Sequence, residues 1–312
     1  MNLLHDTFLT LFPLYVYMAL GLLLRKVNLL NRELTVKMNA IVFKVFIPCS
    51  LFISAYNADL SNTENINGAF YAIIANIILF VILILVIPKM VKNGPKAASV
   101  SQCIFRSNYV LIGLAYVELL YGSENLGQVS IMIAMIVPVY NALAVLNFEL
   151  LRGGKVNIRN LVKNIVTNPL IIATVIGILI KLSGITIPSF VLKPISSISS
   201  FASPFAMILV GSMLTFSGFK NNGRLIAIGT IGRLIMVPAV FLTVAVLLGF
   251  KGIVLVSLMT AFAGPTAVAG TPMAFQLGGD GELAGELVAS TTIFSTFTLY
   301  FIIVLLRAVG LI

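Results

Sequence analysis

The sequence is short of charge. Asp, Glu, Lys and Arg make up only 10% of its 312 residues, whereas a soluble domain carries about 25%. With 59% hydrophobic residues and a mean hydropathy of +1.09, the chain must meet lipid over most of its surface, which excludes an ordinary soluble domain. Histidine occurs once, as His5 near the chain start and on no motif, and cysteine twice, as Cys49 and Cys103, both within apolar stretches. So few of these residues supply neither a disulfide framework nor a metal-ligand spacing, and no cofactor is implied. An intramembrane enzyme would need a carboxylate pair, a metal cluster or an activated nucleophile, and none is legible. Aspartate is missing from the apolar stretches, since Asp6, Asp59 and Asp280 fall at ends or in loops. That scarcity counts against a cation/proton antiporter, the main alternative, because intramembrane carboxylates carry the ion in such proteins.

Ten apolar stretches are long enough for helices across a bilayer core of about 30 Å. They run approximately over 7–24, 36–56, 67–88, 97–121, 127–150, 166–183, 190–216, 224–248, 252–277 and 286–308, with boundaries good to about four residues. The expected fold class is therefore an all-α polytopic membrane protein with ten transmembrane helices. Arg25 and Lys26 follow the first stretch rather than precede it, so it reads as a retained helix and not as a cleavable signal. The net charge of +10 does not call for nucleic acid. Thirteen basic residues fall on one side of the predicted membrane, namely Arg25, Lys26, Arg32, Lys37, Lys89, Lys92, Lys96, Arg152, Lys155, Arg159, Lys163, Lys220 and Arg224. Only Lys181, Lys193, Lys251 and Arg307 fall on the other. Basic loops stay cytoplasmic and touch anionic headgroups, which predicts a multi-pass protein of the cell membrane with both termini outside. The loop at 278–286 holds Asp280, Glu282 and Glu286 without a basic residue, but acids weigh little in that rule.

Internal matches recur at a single offset. Pro13 and Pro169, Gly21 and Gly177, Arg25 and Lys181, and Pro48 and Pro204 are each 156 residues apart. Half the chain spans five stretches, and an odd number inserts the second copy upside down. Residues 1–156 and 157–312 are thus expected to be inverted five-helix repeats, an architecture of secondary transporters whose sites lie at discontinuous helices near the midplane. Two stretches carry helix-breaking chemistry. The fourth contains Arg106-Ser107-Asn108 followed by Gly113, and the ninth contains Gly264-Pro265-Thr266-Ala267-Val268-Ala269-Gly270-Thr271-Pro272. Proline lacks the amide donor and clashes with the preceding turn, and glycine tolerates unusual dihedrals. Asn108 precedes Gly122 by 14 residues and Pro265 precedes Gly279 by 14, so the breaks hold corresponding places. Crossed half-helices would aim free amides and positive helix ends at one point, a site for an anion.

At these residues the chain resembles the auxin efflux carrier family, which comprises bacterial organic-acid permeases and the plant PIN carriers. Asn108, Gly113 and position 115 follow the family's asparagine-glycine-proline spacing, with Ala115 in place of the proline. Pro265, Ala267, Val268, Ala274, Gln276, Gly278, Gly279, Asp280, Glu282 and Leu283 follow the order of bacterial members, and Asn168-Pro169-Leu170 is also similar. The resemblance covers essentially the whole chain. It implies a scaffold of helices 1, 2, 6 and 7, a transport unit of helices 3–5 and 8–10, a homodimer, and crossed broken helices 4 and 9 as in sodium/proton antiporters and bile-acid symporters.

The expected function is a secondary transporter of small organic anions, carboxylates such as malate, malonate or auxin-like acids, working by alternating access through an elevator-like or rocking shift. Candidate substrate-binding residues are Arg106, Asn108, Gly113, Asn141, Pro265, Thr266, Gly270, Thr271 and Pro272. Arg106 can attract an anion or snorkel to headgroups, and Asn108 and Asn141 can donate amide hydrogen bonds. The hydroxyls of Thr266 and Thr271 can meet substrate or recap freed carbonyls. Thr291, Thr292 and Ser295 share a helix face that reads as packing. Lys44, Glu118 and Arg233 are further intramembrane charges without legible partners. Uptake of an anion against a negative interior costs about 2.3 kcal/mol per charge per 100 mV, so import would require a coupled H+ or Na+.

Overall fold

The computed structural model describes residues 3–57, 64–122, 125–152, 167–214 and 216–312. Lys155, Arg159, Lys163, Asp59 and the side chains of His5 and Asp6 lie outside the described residues. The described chain is helical: α1 Leu3–Lys26, α2 Arg32–Tyr56, α3 Glu64–Met90, α4 Gly94–Phe105, α5 Tyr109–Tyr121, α6 Leu126–Leu151, α7 Pro169–Leu182, α8 Ser189–Ser200 and α9 Ala202–Met213. It continues with α10, which begins as Phe216–Ile231 and extends through two π turns to Thr243–Leu247, then α11 Gly252–Ala263, α12 Gly270–Leu277 and α13 Gly281–Ala308. Helices suit an apolar chain of this kind, because lipid offers no partner to an open backbone amide and a helix satisfies its amides internally.

Among the described residues, six helices are long and apolar enough to cross a membrane: Arg32–Tyr56, Ile66–Met90, Ile131–Leu151, Ser189–Met213, Phe219–Leu247 and Gly281–Ala308. Ile112–Tyr121, Pro169–Leu182 and Gly252–Ala263 are shorter apolar helices. The fourth and ninth of the ten expected stretches are not among the six because each is divided into two half-helices, α4 with α5 and α11 with α12.

Helix starts carry their own capping chemistry. The side chains of Asn31, Asn93, Asn168 and Asp280 accept from the amides of Leu34, Lys96, Leu170 and Leu283, each satisfying an otherwise orphaned donor. π turns at Val42–Phe46 and Gly232–Met236 lie just before Pro48 and Pro238, where a proline ring disturbs the regular ladder.

Packing uses small residues. α1 lies against α9 so closely that a side-chain carbon on Gly21 would strike the Ile208 carbonyl, and one on Gly211 would strike that of Met18. α2 packs on α7, where Gly177 faces the Phe52 backbone. α3 buries Ala69, Ala72 and Ala75, while Phe70, Ile74, Ile78 and Leu85 point outward. Large apolar groups outside and small ones inside suit a lipid surround and helix–helix contact. The half-helices occupy the centre: Ala97–Phe105 of α4 and Leu255–Ala263 of α11 are all buried.

Candidate functional site

The two breaks meet. Ser107 and Thr266 face one another in an isolated antiparallel bridge, where the Asn108 amide donates to the Pro265 carbonyl at 2.9 Å and the Ala267 amide to that of Arg106 at 3.1 Å. The Ser107 hydroxyl donates to the Thr260 carbonyl at 2.8 Å. Irregular backbone survives at this depth because protein surrounds it and satisfies it.

The first break is shorter than expected. Only Arg106, Ser107 and Asn108 leave the helix, and α5 resumes at Tyr109. Gly113 and Ala115 therefore lie inside a regular helix, and the break forms without a proline. Gly113 provides close packing on α11, its missing side chain facing Thr260 Oγ1. The second break covers 264–269, and Pro272 sits in the first turn of α12, where proline is tolerated.

The two helix starts differ in electrostatic availability. Around α12, the Gly270 amide donates to the Ala267 carbonyl, that of Thr271 to Val268 and that of Met273 to Ala269. The amides near Gly270 are thus engaged in turns, contrary to the expectation that they stand free. The Thr266 amide donates to Thr291 Oγ1 at 3.2 Å and its hydroxyl to the Arg106 carbonyl at 3.1 Å, so this hydroxyl recaps backbone. Thr271 Oγ1 is buried without a hydrogen-bond partner among the described residues. At α5, Asn108 holds the cap position but makes no capping bond. Its Nδ2 is also buried and has no partner among the described residues. The positive start of α5 thus remains uncapped by its own side chain.

A cavity of about 480 Å³ adjoins this point, within the range of small-molecule sites. Arg106, Ser107, Asn108, Tyr109 and Val110 line it from the first break, and Ala267, Val268 and Ala269 from the second. The opposite wall contains Pro13, Leu14 and Tyr17 of α1, Ile47, Ser50 and Leu51 of α2, and Ser199, Ser200, Ala202 and Pro204 around the α8–α9 junction. Arg106 is the only charged residue among those described in the lining. Its guanidinium donates to Asn141 Oδ1 at 2.7 Å and to the Met273 sulfur, and a thioether is a weak acceptor. Of the predicted residues, Arg106 and Asn108 line the cavity. Asn141 stands behind Arg106, while Gly113, Pro265, Thr266, Gly270, Thr271 and Pro272 shape or brace the crossing without lining the cavity.

Sequence reading missed the serines of the far wall, although Ser196-Ser197-Ile198-Ser199-Ser200 is a conspicuously polar run in an apolar stretch. It also missed Tyr140, which lines the cavity and donates to the Ala261 carbonyl at 3.2 Å. Lys44 and Glu118 are exposed on their helices, whereas Arg233 is wholly buried. Among the described residues no group of three His, Cys, Asp or Glu is placed to hold a metal ion.

Residues 6–303 match the model of a family described as membrane transport protein. The chain belongs to this family, the auxin efflux carriers. An uncharacterized transporter of Methanocaldococcus jannaschii is 30% identical over 159 residues, which is 50% of this chain and 50% of the relative. The chain thus spans about half the length of that curated relative. The chain thus belongs to a family of membrane transport proteins, in keeping with its apolar helices.

Proposed function

We propose that this auxin efflux carrier family member is a secondary carrier of small organic anions, carboxylates of the malate, malonate or auxin-like kind. The observation that carries the reading is the cavity at the crossed breaks, whose described lining holds one cation, Arg106, and no acid. A buried guanidinium half-engaged with a thioether and an amide has capacity for a carboxylate, which it can take in a bidentate fork. The unpartnered Asn108 Nδ2 and the uncapped start of α5 add donors on the same side. A cation antiporter would need an acid at this place, and none is present in the described lining.

In this reading the chain crosses the membrane ten times, as inverted repeats 1–156 and 157–312, with both termini outside. Two observations support the repeat. The breaks meet antiparallel, and the equivalent glycines Gly21 and Gly177 both mediate backbone-close contacts, α1 with α9 and α7 with α2. Helices α1, α2, α7, α8 and α9 form the scaffold and the remainder the transport unit. The cavity lies between them, so displacing one against the other exposes the site to either side in alternation. Dimerisation through the scaffold belongs to the same reading.

Counterflow by proteoliposomes against a panel of radiolabelled acids tests the proposal. Saturable exchange of one or more carboxylates, lowered about 100-fold in Arg106→Gln, is the expected result. No exchange of any acid, or unaltered exchange in both Arg106→Gln and Asn108→Ala, would remove the reading.

A further inference from the structure

Arg233 has no place in the site just described, yet it is 0% exposed in the middle of α10. Among the described residues it has no carboxylate within ion-pair distance. Its partners are backbone carbonyls: Ala261 at 2.7 Å, Gly264 at 2.8 Å, Ile104 at 3.1 Å and Phe105 at 3.4 Å. Two belong to the end of α4 and two to the end of α11. These are the carbonyls that a helix leaves unpaired at its C-terminus. Each half-helix end carries roughly half a negative charge, so two ends together present about one unit, which a single guanidinium balances. Local geometry serves this reach. Gly232 lets α10 approach Ile104 of α4, and the π turn Gly232–Met236 carries Arg233. Carbonyls at half-helix ends are also the groups with which transporters commonly coordinate a coupling Na+.

We infer that Arg233 is a tethered counter-cation, filling the carbonyl cage that a transported metal ion would otherwise occupy, so that anion transport proceeds without Na+ at the crossing. The inference rests on the anion-carrier reading for its transport consequence. With the negative helix ends neutralised from within, the field at the cavity comes from the open start of α5 and from Arg106. Both are positive. The site accordingly holds its anion without recruiting a metal partner.

The test is counterflow of radiolabelled malonate, malate and indole acetate by the reconstituted protein in sodium, potassium and choline media at one pH. The wild type is expected to exchange its accepted acid at rates within about twofold across the three media, and Arg233→Lys to retain this independence. Arg233→Ala is expected to lose about tenfold or more in choline and to regain activity with guanidinium or sodium ions, which a purely structural role would not produce. The inference is overturned by a wild-type rate that collapses when sodium is replaced, by Arg233→Met exchanging at the wild-type rate in choline, or by a folded Arg233→Ala that neither cation restores. Thermal unfolding of the wild type decides the matter independently of transport. The midpoint should be equal in sodium and choline, and a rise of several degrees specific to sodium would expose a metal site and overturn the inference. Absence of exchange in every medium would count against the carrier reading instead, leaving the unfolding comparison to judge Arg233.

Discussion

Two arginines are buried at the crossing and are used in opposite ways. Arg233 meets four carbonyls from two helix ends and stands away from the described cavity lining. Arg106 lines the cavity and, among the described residues, has only an amide oxygen and a thioether as side-chain partners. A buried cation hydrogen-bonded to several carbonyls stabilises backbone that would otherwise be unsatisfied, whereas one with weak partners retains attraction for an incoming anion. The same residue type, buried in both cases, neutralises two helix ends as Arg233 and lines the cavity as Arg106, because the two side chains meet different partners.

The largest effect expected from breaking this contrast comes at Arg233. Arg233→Met leaves several buried carbonyls without donors at about 1–3 kcal/mol each, so the thermal unfolding midpoint of the solubilised protein should fall markedly. Arg106→Gln should lower exchange by about 100-fold, the scale of losing a charge-paired hydrogen bond, with a much smaller shift in unfolding. If the two variants exchange these profiles, the division of labour is wrong. Asn108→Ala should raise the half-saturating acid concentration by about tenfold through loss of one donor to a carboxylate, which concentration-dependent uptake would detect. Thr266→Val removes the hydroxyl bond to the Arg106 carbonyl and should cost about 1 kcal/mol of stability with little change in half-saturation. Smallest of all is Arg32→Ala. It breaks the exposed 2.7 Å ion pair with Glu282, and such pairs contribute about 0–1 kcal/mol.

The positions of the breaks were legible to different degrees. In the ninth stretch, two prolines and two glycines within nine residues signalled an interruption, and the helix does lapse at 264–269. In the fourth the signal was only polarity, and Gly113 suggested a longer break than the three residues found. Helix periodicity cannot show that Arg106–Asn108 is held open by hydrogen bonds to a segment some 160 residues away. Nor could it foresee that the Gly270 amide turns back on Ala267. Arg233 illustrates the same boundary. A lone cation in an apolar helix was visible, but its partners are carbonyls, which every residue possesses and no sequence distinguishes. The serines at 199 and 200 were visible too, but only folding places them across the cavity from Arg106.

The bridge between Ser107 and Thr266 has a mechanical corollary. Each link supplies one donor and one acceptor to the other, and Thr266 adds a third strut from its hydroxyl. Neither link can slide alone without rupturing this cross-brace, so the pair is obliged to travel as one stiff joint. Under the proposed carrier reading, a stroke that moves a bound acid through the bilayer leaves the knot tied and lets the surrounding helices do the slipping.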